Sequence, residues 1–274
     1  KVESFSITGT ATWSEGFDTQ TEIVSGPDGV VRLTNYDVWG DAITNITRQR
    51  HGNVYCEEYA KVFADAIDSS EKLGTFVDDV QLETDYQTET NLQRQFHQVA
   101  RLIKSRHARK AERDFFFVQI GGWDHHTDLH EGFAEKMKEV NRAIEGFVEE
   151  LKLQQDFDKT VLVTASDFGR TLTFNGMGTD HGWGGNHFII GGSIRGGQIF
   201  NDYLSSFDLT TSEYITDRGR VVPLYPWENV MVPIAQWLGV AERDISGGVF
   251  PNLGNFNRTR LIIPCKSLFV EGAC

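Results

Sequence analysis

The chain has 274 residues, 39% of them apolar and including six Trp and nineteen Phe, which is enough for one large domain or two small ones with a real core. Its formal net charge of −13 argues against a general affinity for nucleic acid or anionic membranes, because both would repel it. No run approaches the roughly 18 apolar residues of a membrane span, and no charged-then-apolar leader precedes Lys1, so the sequence predicts a soluble chain.

Residues 1–40 are polar, rich in Thr and Gly and broken by Gly26-Pro27-Asp28-Gly29, and read as loops and small strands. From Tyr55 to about Leu73, apolar side chains at Tyr59, Val62, Phe63, Ala66 and Ile67 recur at helical spacing, and a second helix fits 90–108, with Leu92, Phe96, Val99 and Leu102 on one stripe. The basic run over 101–113 reads as a solvated helix face. Residues 114–120 form a continuous apolar run ending in Gly121-Gly122, the pattern of a strand buried on both faces. A long amphipathic helix follows over about 129–154, then a second buried strand over 160–165. Strand, helix and strand within about fifty residues predict a βαβ unit with a right-handed crossover and parallel strands. A third strand is expected near His187–Gly192, and a helix over 227–238. The expected fold is α/β, a largely parallel sheet with helices on both faces. Residues 1–110 supply an irregular start and covering helices of the same domain, and 111–274 the α/β core.

Three clusters of metal-binding residue types lie at the edges of these strands: Gly121-Gly122-Trp123-Asp124-His125-His126, Ser166-Asp167-Phe168-Gly169-Arg170-Thr171, and Gly178-Thr179-Asp180-His181-Gly182-Trp183-Gly184-Gly185-Asn186-His187. Carboxylate with imidazole on neighbouring strand ends suits zinc or manganese better than calcium or magnesium, and strand carboxyl ends are where ligands collect in open parallel sheets. The candidate ligands are Asp124, His126, Asp167, Asp180, His181 and His187. Three also have a plainer reading: Asp124 as a helix-capping turn residue, His181 as a loop histidine held by Asp180, His187 as a core histidine; no nearby helix start explains Asp167 in that way. Arg170 is the candidate catalytic residue, able to fork two donors onto a phosphate or sulfate, or else to form a structural bridge to a carboxylate. Cys56, Cys265 and Cys274 are odd in number and lack a C-x-x-C, which leaves room for one disulfide and a free thiol. Asn45-Ile46-Thr47 and Asn257-Arg258-Thr259 fit the glycosylation acceptor pattern and lean towards an exported glycoprotein.

Taken in order, these clusters with Asn175-Gly176, the later Gly191-Gly192-x-x-x-Gly196-Gly197, Trp237-Leu238-Gly239 and Val249-Phe250-Pro251-Asn252-Leu253 resemble the family known as domain of unknown function 1501, over about residues 110–255. The resemblance implies an alkaline phosphatase-like core from the alkaline phosphatase and sulfatase superfamily, whose members hydrolyse phosphate or sulfate esters at a two-metal centre. It also implies secretion to the periplasm or cell exterior. By position, Asp124 with His126, then Asp167, then His181 or His187 would be ligands. This chain has Asp167-Phe168 where the superfamily has Asp-His, so one expected imidazole is missing unless Asp180-His181 folds back to replace it. Nothing before residue 110 reads as the first strand that carries the superfamily nucleophile. That strand is expected from an N-terminal portion of the same precursor or from another chain, and a homo-oligomer or extracellular assembly would fit as well. The competing expectation is a non-catalytic structural or binding component built on a degenerate hydrolase fold.

Overall fold

Buried polar side chains shape the first sheet. In the computed structural model, which describes residues 2–16, 19 and 21–274, strand β1 (Val2–Ser6) is covered along almost its whole length although Glu3, Ser4 and Ser6 lie within it. β2 (Thr21–Ser25) and β3 (Gly29–Val30) follow. After helices α1 (Tyr36–Thr47), α2 (Val54–Val77), α3 (Asn91–Lys104) and the single turn α4 (Arg106–Arg109) comes β4 (Arg113–Phe117). The strand order is β3-β2-β1-β4, parallel except for the antiparallel β2–β3 pair, and β1 meets β4 in register from Val2↔Arg113 to Ser6↔Phe117. The small strands expected among the loops of residues 1–40 are thus present, and β1 lies inside the sheet beside β4. Two of its three buried polar residues have partners: Glu3 pairs with Arg109, and Ser4 Oγ donates to Ser14 O at 2.5 Å. Arg109, from the basic run, is only 5% exposed and also bonds Asp114 Oδ2 at 2.6 Å, so this part of the run is a buried ion network rather than a solvated face.

α3 forms as its pattern predicts. Thr90 and Gln93 make a reciprocal capping box, and Leu92, Phe96, Val99 and Leu102 are all buried. Each such side chain contributes roughly 1.5–3 kcal/mol by leaving water. Phe96 stacks on Phe147 of α5 (Leu129–Leu153) at 4.7 Å. α2 is longer than its sequence pattern and buries Ile67, Leu73 and Val77, whereas Tyr59, Val62 and Phe63 near its start remain exposed.

Contacts group the chain into two compact units, Lys1–Gly121 with Met137–Gln154, and Gly122–Lys136 with Gln155–Cys274. The second unit holds three short antiparallel pairs: β5 (Leu162–Val163) with β8 (Ile189–Ile190), β6 (Gly169–Phe174) with β7 (Thr179–Gly182), and β9 (Ile215–Thr216) with β10 (Arg220–Val221). The expected strand over 160–165 is thus two residues long and runs antiparallel to the third one. Among the described residues the largest sheet has four strands, so the chain is mixed α and β with a small mixed sheet. Helix α6 (Glu228–Trp237) packs Trp237 flat on Phe269 at 5.5 Å beside Ile194, Ile263 and Leu268. Cys265 and Cys274 form a disulfide and Cys56 is an exposed free thiol. No helix of the described residues is long and apolar enough to cross a membrane.

Candidate metal centre

The β6–β7 hairpin is built by glycines that admit backbone where a side chain would not fit. Arg170 pairs with His181 across it, and a Cβ on Gly169 or Gly182 would meet backbone of Gly184 at 2.0 Å or of Arg170 at 2.8 Å. At its tip, a Cβ on Gly178 would lie 2.6 Å from His125 O and from the carbonyl carbon of His126. This close approach brings His181 of β7 to the 123–126 segment, where His126 N donates to Asp124 O at 3.2 Å and the backbone is tightly turned.

Three side chains converge there. His181 Nε2 lies 2.6 Å and His126 Nε2 2.9 Å from the same oxygen, Asp124 Oδ1. One ligand atom from each of Asp124, His126 and His181 falls within 4.8 Å of the other two, the single such group of His, Cys, Asp and Glu among the described residues. Side-chain exposures of 53%, 47% and 47% leave all three open to ions from solvent. Ligands about 2.0–2.2 Å from a tetrahedral ion stand about 3.3–3.6 Å apart, so the two imidazoles would have to open by about 0.4–1.0 Å to admit one. Two His and a carboxylate are also a donor set that leaves a fourth position for another group. The residues fit one zinc or manganese ion.

Neighbouring groups hold these three in place. The His181 ring lies flat on Phe168, with centroids 3.9 Å apart and planes within 2°. His181 therefore comes to the Asp167-Phe168 corner, where the sequence lacks the expected imidazole, and Phe168 serves as its platform. Asp180 Oδ1 stands 3.5 Å from His126 Nδ1, the ring nitrogen remote from Asp124; its Oδ2 pairs with Arg218, and Asn175 Nδ2 donates to Oδ1 at 3.4 Å. A carboxylate behind a ligand histidine fixes its tautomer and orientation, so Asp180 acts behind His126 and not within the group. Arg170 Nη2 donates to Trp123 O at 2.6 Å and lies 3.2 Å from Asp124 Oδ1, and Nη1 donates to Thr179 O at 2.7 Å. Its guanidinium is a bridge between hairpin and loop, the plainer of its two sequence readings.

The Asp124 carboxyl is held below its ordinary pKa, first by the hydrogen bond from His181 and then by the charges of His126, His181 and Arg170. Asp180 is lowered as well, by its bonds from Asn175 and Arg218. Both are therefore anions near neutral pH, the form in which a carboxylate binds an ion.

Asp167 and His187 lie outside the group. Ser166 Oγ donates to Phe168 O at 2.9 Å, a turn that leaves Asp167 exposed while Phe168 takes the place against His181. His187 tilts against Trp227 at 4.6 Å but remains exposed, so it is not a core histidine either, and partial desolvation lowers its pKa. Phe168 and Gly178 stand in the sequence clusters, but their roles as platform and close approach, and Arg218 altogether, are not legible there, since they depend on neighbours remote in sequence.

The sequence profile described as Protein of unknown function (DUF1501) matches residues 43–203, a span that contains every residue of this cluster except Arg218. No curated protein and no solved structure matches the chain.

Proposed function

Since the chain belongs to the DUF1501 family, whose name leaves its activity open, we propose that it is a metal-dependent hydrolase of phosphate or sulfate esters in which Asp124, His126 and His181 hold one zinc or manganese ion. The observation that carries this reading is the convergence of both imidazole Nε2 atoms on Asp124 Oδ1, at 2.6 and 2.9 Å, in an open position. Such an ion supplies Lewis acidity to an ester oxygen. The chain's own residues do the rest. Arg170 keeps Asp124 oriented and, with Arg218 nearby on Asp180, makes the rim of the cluster attractive to an anionic head group. Asp180 sets the tautomer of His126, and Phe168 sets the ring plane of His181.

An alkaline phosphatase-like core and an exported location belong to the same proposal. The Cys265–Cys274 disulfide supports export, since such bonds persist in oxidising compartments. No residue described above is assigned as nucleophile; an N-terminal portion of the same precursor, or a second chain, is proposed to supply it.

The test is metal analysis of the purified chain after dialysis against zinc or manganese, paired with hydrolysis of 4-nitrophenyl phosphate and 4-nitrophenyl sulfate by the chain together with the portion proposed to supply the nucleophile. One ion per chain, lost in Asp124→Ala, with turnover of either ester is the expected result. No bound ion in the wild type refutes the centre. A bound ion without turnover of any ester favours the non-catalytic binding component.

A further inference from the structure

A cleft of about 680 Å³ is lined by Arg170, the residue that also contacts Asp124, so it continues directly from the cluster. Its walls include Leu129, Phe133, Phe174 and Met177. Three of these are large apolar side chains left in solvent, Phe133 at 47%, Phe174 at 67% and Met177 at 62% exposure. Apolar side chains gathered round one concavity are a mark of ligand surface, and the volume is of the size that encloses a small organic group. The formally charged side chains lining it, apart from Arg170, are the acids Asp128 and Glu131. An anionic arm would be repelled there, whereas an uncharged apolar one would displace water from the aromatic and thioether walls. Phe174 and Met177 flank Asn175 on the same hairpin that delivers His181, so a single element places both the ion ligand and the wall of the cleft.

We propose that this cleft is a substrate subsite for the uncharged apolar arm of the ester, so that the preferred substrates are alkyl or aryl monoesters of phosphate or sulfate and not nucleotides, sugar phosphates or other polar esters. This rests on the metal-dependent hydrolase reading. The anionic head lies at the Arg170 end and the arm extends between Phe133, Phe174 and Met177.

The experiment compares ethyl phosphate with n-hexyl phosphate on the manganese-loaded chain together with the portion proposed to supply the nucleophile, because the two leaving alkoxides are similarly basic and differ only in apolar length. Burial of methylenes favours the longer ester by up to roughly fourfold per methylene. The expected kcat/KM ratio of hexyl to ethyl is at least tenfold, falling to near one in Phe174→Ser/Met177→Ser. A wild-type ratio near one, or a ratio that the double variant leaves unchanged, overturns the subsite. If neither ester turns over, the hydrolase reading fails, and calorimetry with ethylphosphonate and n-hexylphosphonate decides the cleft by itself. Tighter binding of the hexyl compound, lost in the double variant, supports it; equal affinities or no binding of either overturn it.

Discussion

Replacing Glu150 by Ala should destabilise the unit that contains it more than any surface substitution. The carboxylate is fully buried and accepts four hydrogen bonds: Oε1 from Glu83 N at 3.0 Å and Gln154 Nε2 at 2.6 Å, Oε2 from Thr84 N and Thr84 Oγ1 at 2.8 Å each. Desolvation pushes its pKa up, and the bonds from Gln154, Glu83 and Thr84 together outweigh it, so the folded-state value lies below the ordinary one. Removing the acceptor strands two backbone N–H groups, an amide and a hydroxyl, and opens a small void. Each stranded donor costs roughly 1–3 kcal/mol when fully buried. These donors are partly buried, and Thr84 and Gln154 have side chains that can turn to water, so the low end applies and the sum is about 3 kcal/mol. At roughly 2–4 °C per kcal/mol for a chain of this size, the melting temperature drops by about 6–12 °C. Glu150→Gln should lose somewhat less, because its amide oxygen still accepts from two of the four donors while its NH2 faces the other two. The pH dependence has a definite direction. A carboxyl whose folded pKa is depressed stabilises fully above its unfolded pKa, and loses that contribution as pH falls through the folded value. The gap between wild type and Glu150→Gln should therefore be largest near neutral pH and shrink below about pH 4.5, the ordinary glutamate value. Thermal and urea melts at pH 7 and pH 3.5 measure both. A loss under 1 kcal/mol for Glu150→Ala at pH 7 would refute the reasoning.

Three further outcomes are expected. Gly178→Ala puts a methyl 2.6 Å from backbone of His125 and His126, so the hairpin tip must move away, and zinc affinity by competition with a chelator should fall at least tenfold; unchanged affinity would show that the tip does not position His181. Phe168→Ala removes the platform under His181 and should weaken ion binding about 10- to 100-fold, the usual range for groups that orient a ligand, while Phe168→Tyr should restore most of it. Reducing the Cys265–Cys274 link, which spans nine residues in sequence, should cost roughly 2–3 kcal/mol in the unit that holds it, visible as a lower melting temperature in a thiol reductant and absent in Cys274→Ser.

The parts of this structure that could be read in sequence are those whose partners are close by or whose pattern is periodic. The stripe Leu92, Phe96, Val99, Leu102 announces a helix, and Thr90 with Gln93 announces its start, because capping and periodicity are local. β1 is silent for the opposite reason. Its Glu3 and Ser4 look like solvent residues until Arg109 and the Ser14 carbonyl arrive to satisfy them. The same division runs through the candidate site. Asp124, His126 and His181 stand out as donors at apolar-run ends, and the structure brings them together. Asp167 stands out equally, yet a turn fixed by Ser166 sets Phe168 in its stead, and a turn of one residue cannot be read from composition. The expected parallel pairing of residues 160–165 gives way to a two-residue antiparallel pair, since an apolar run fixes burial but not the direction of its neighbour.

One oxygen of Asp124 is oversubscribed. A carboxylate oxygen has two lone pairs, and Oδ1 is approached by His126, His181 and Arg170, at 2.9, 2.6 and 3.2 Å. Three groups thus compete for one atom, and the hydrogen bond with His181 is the shortest of the three contacts. A cation entering among them would replace two of the competing contacts by coordination and leave the guanidinium as sole hydrogen-bond donor. The same side chains that compete for one oxygen would then share one ion, and the competition would end without any residue being exchanged.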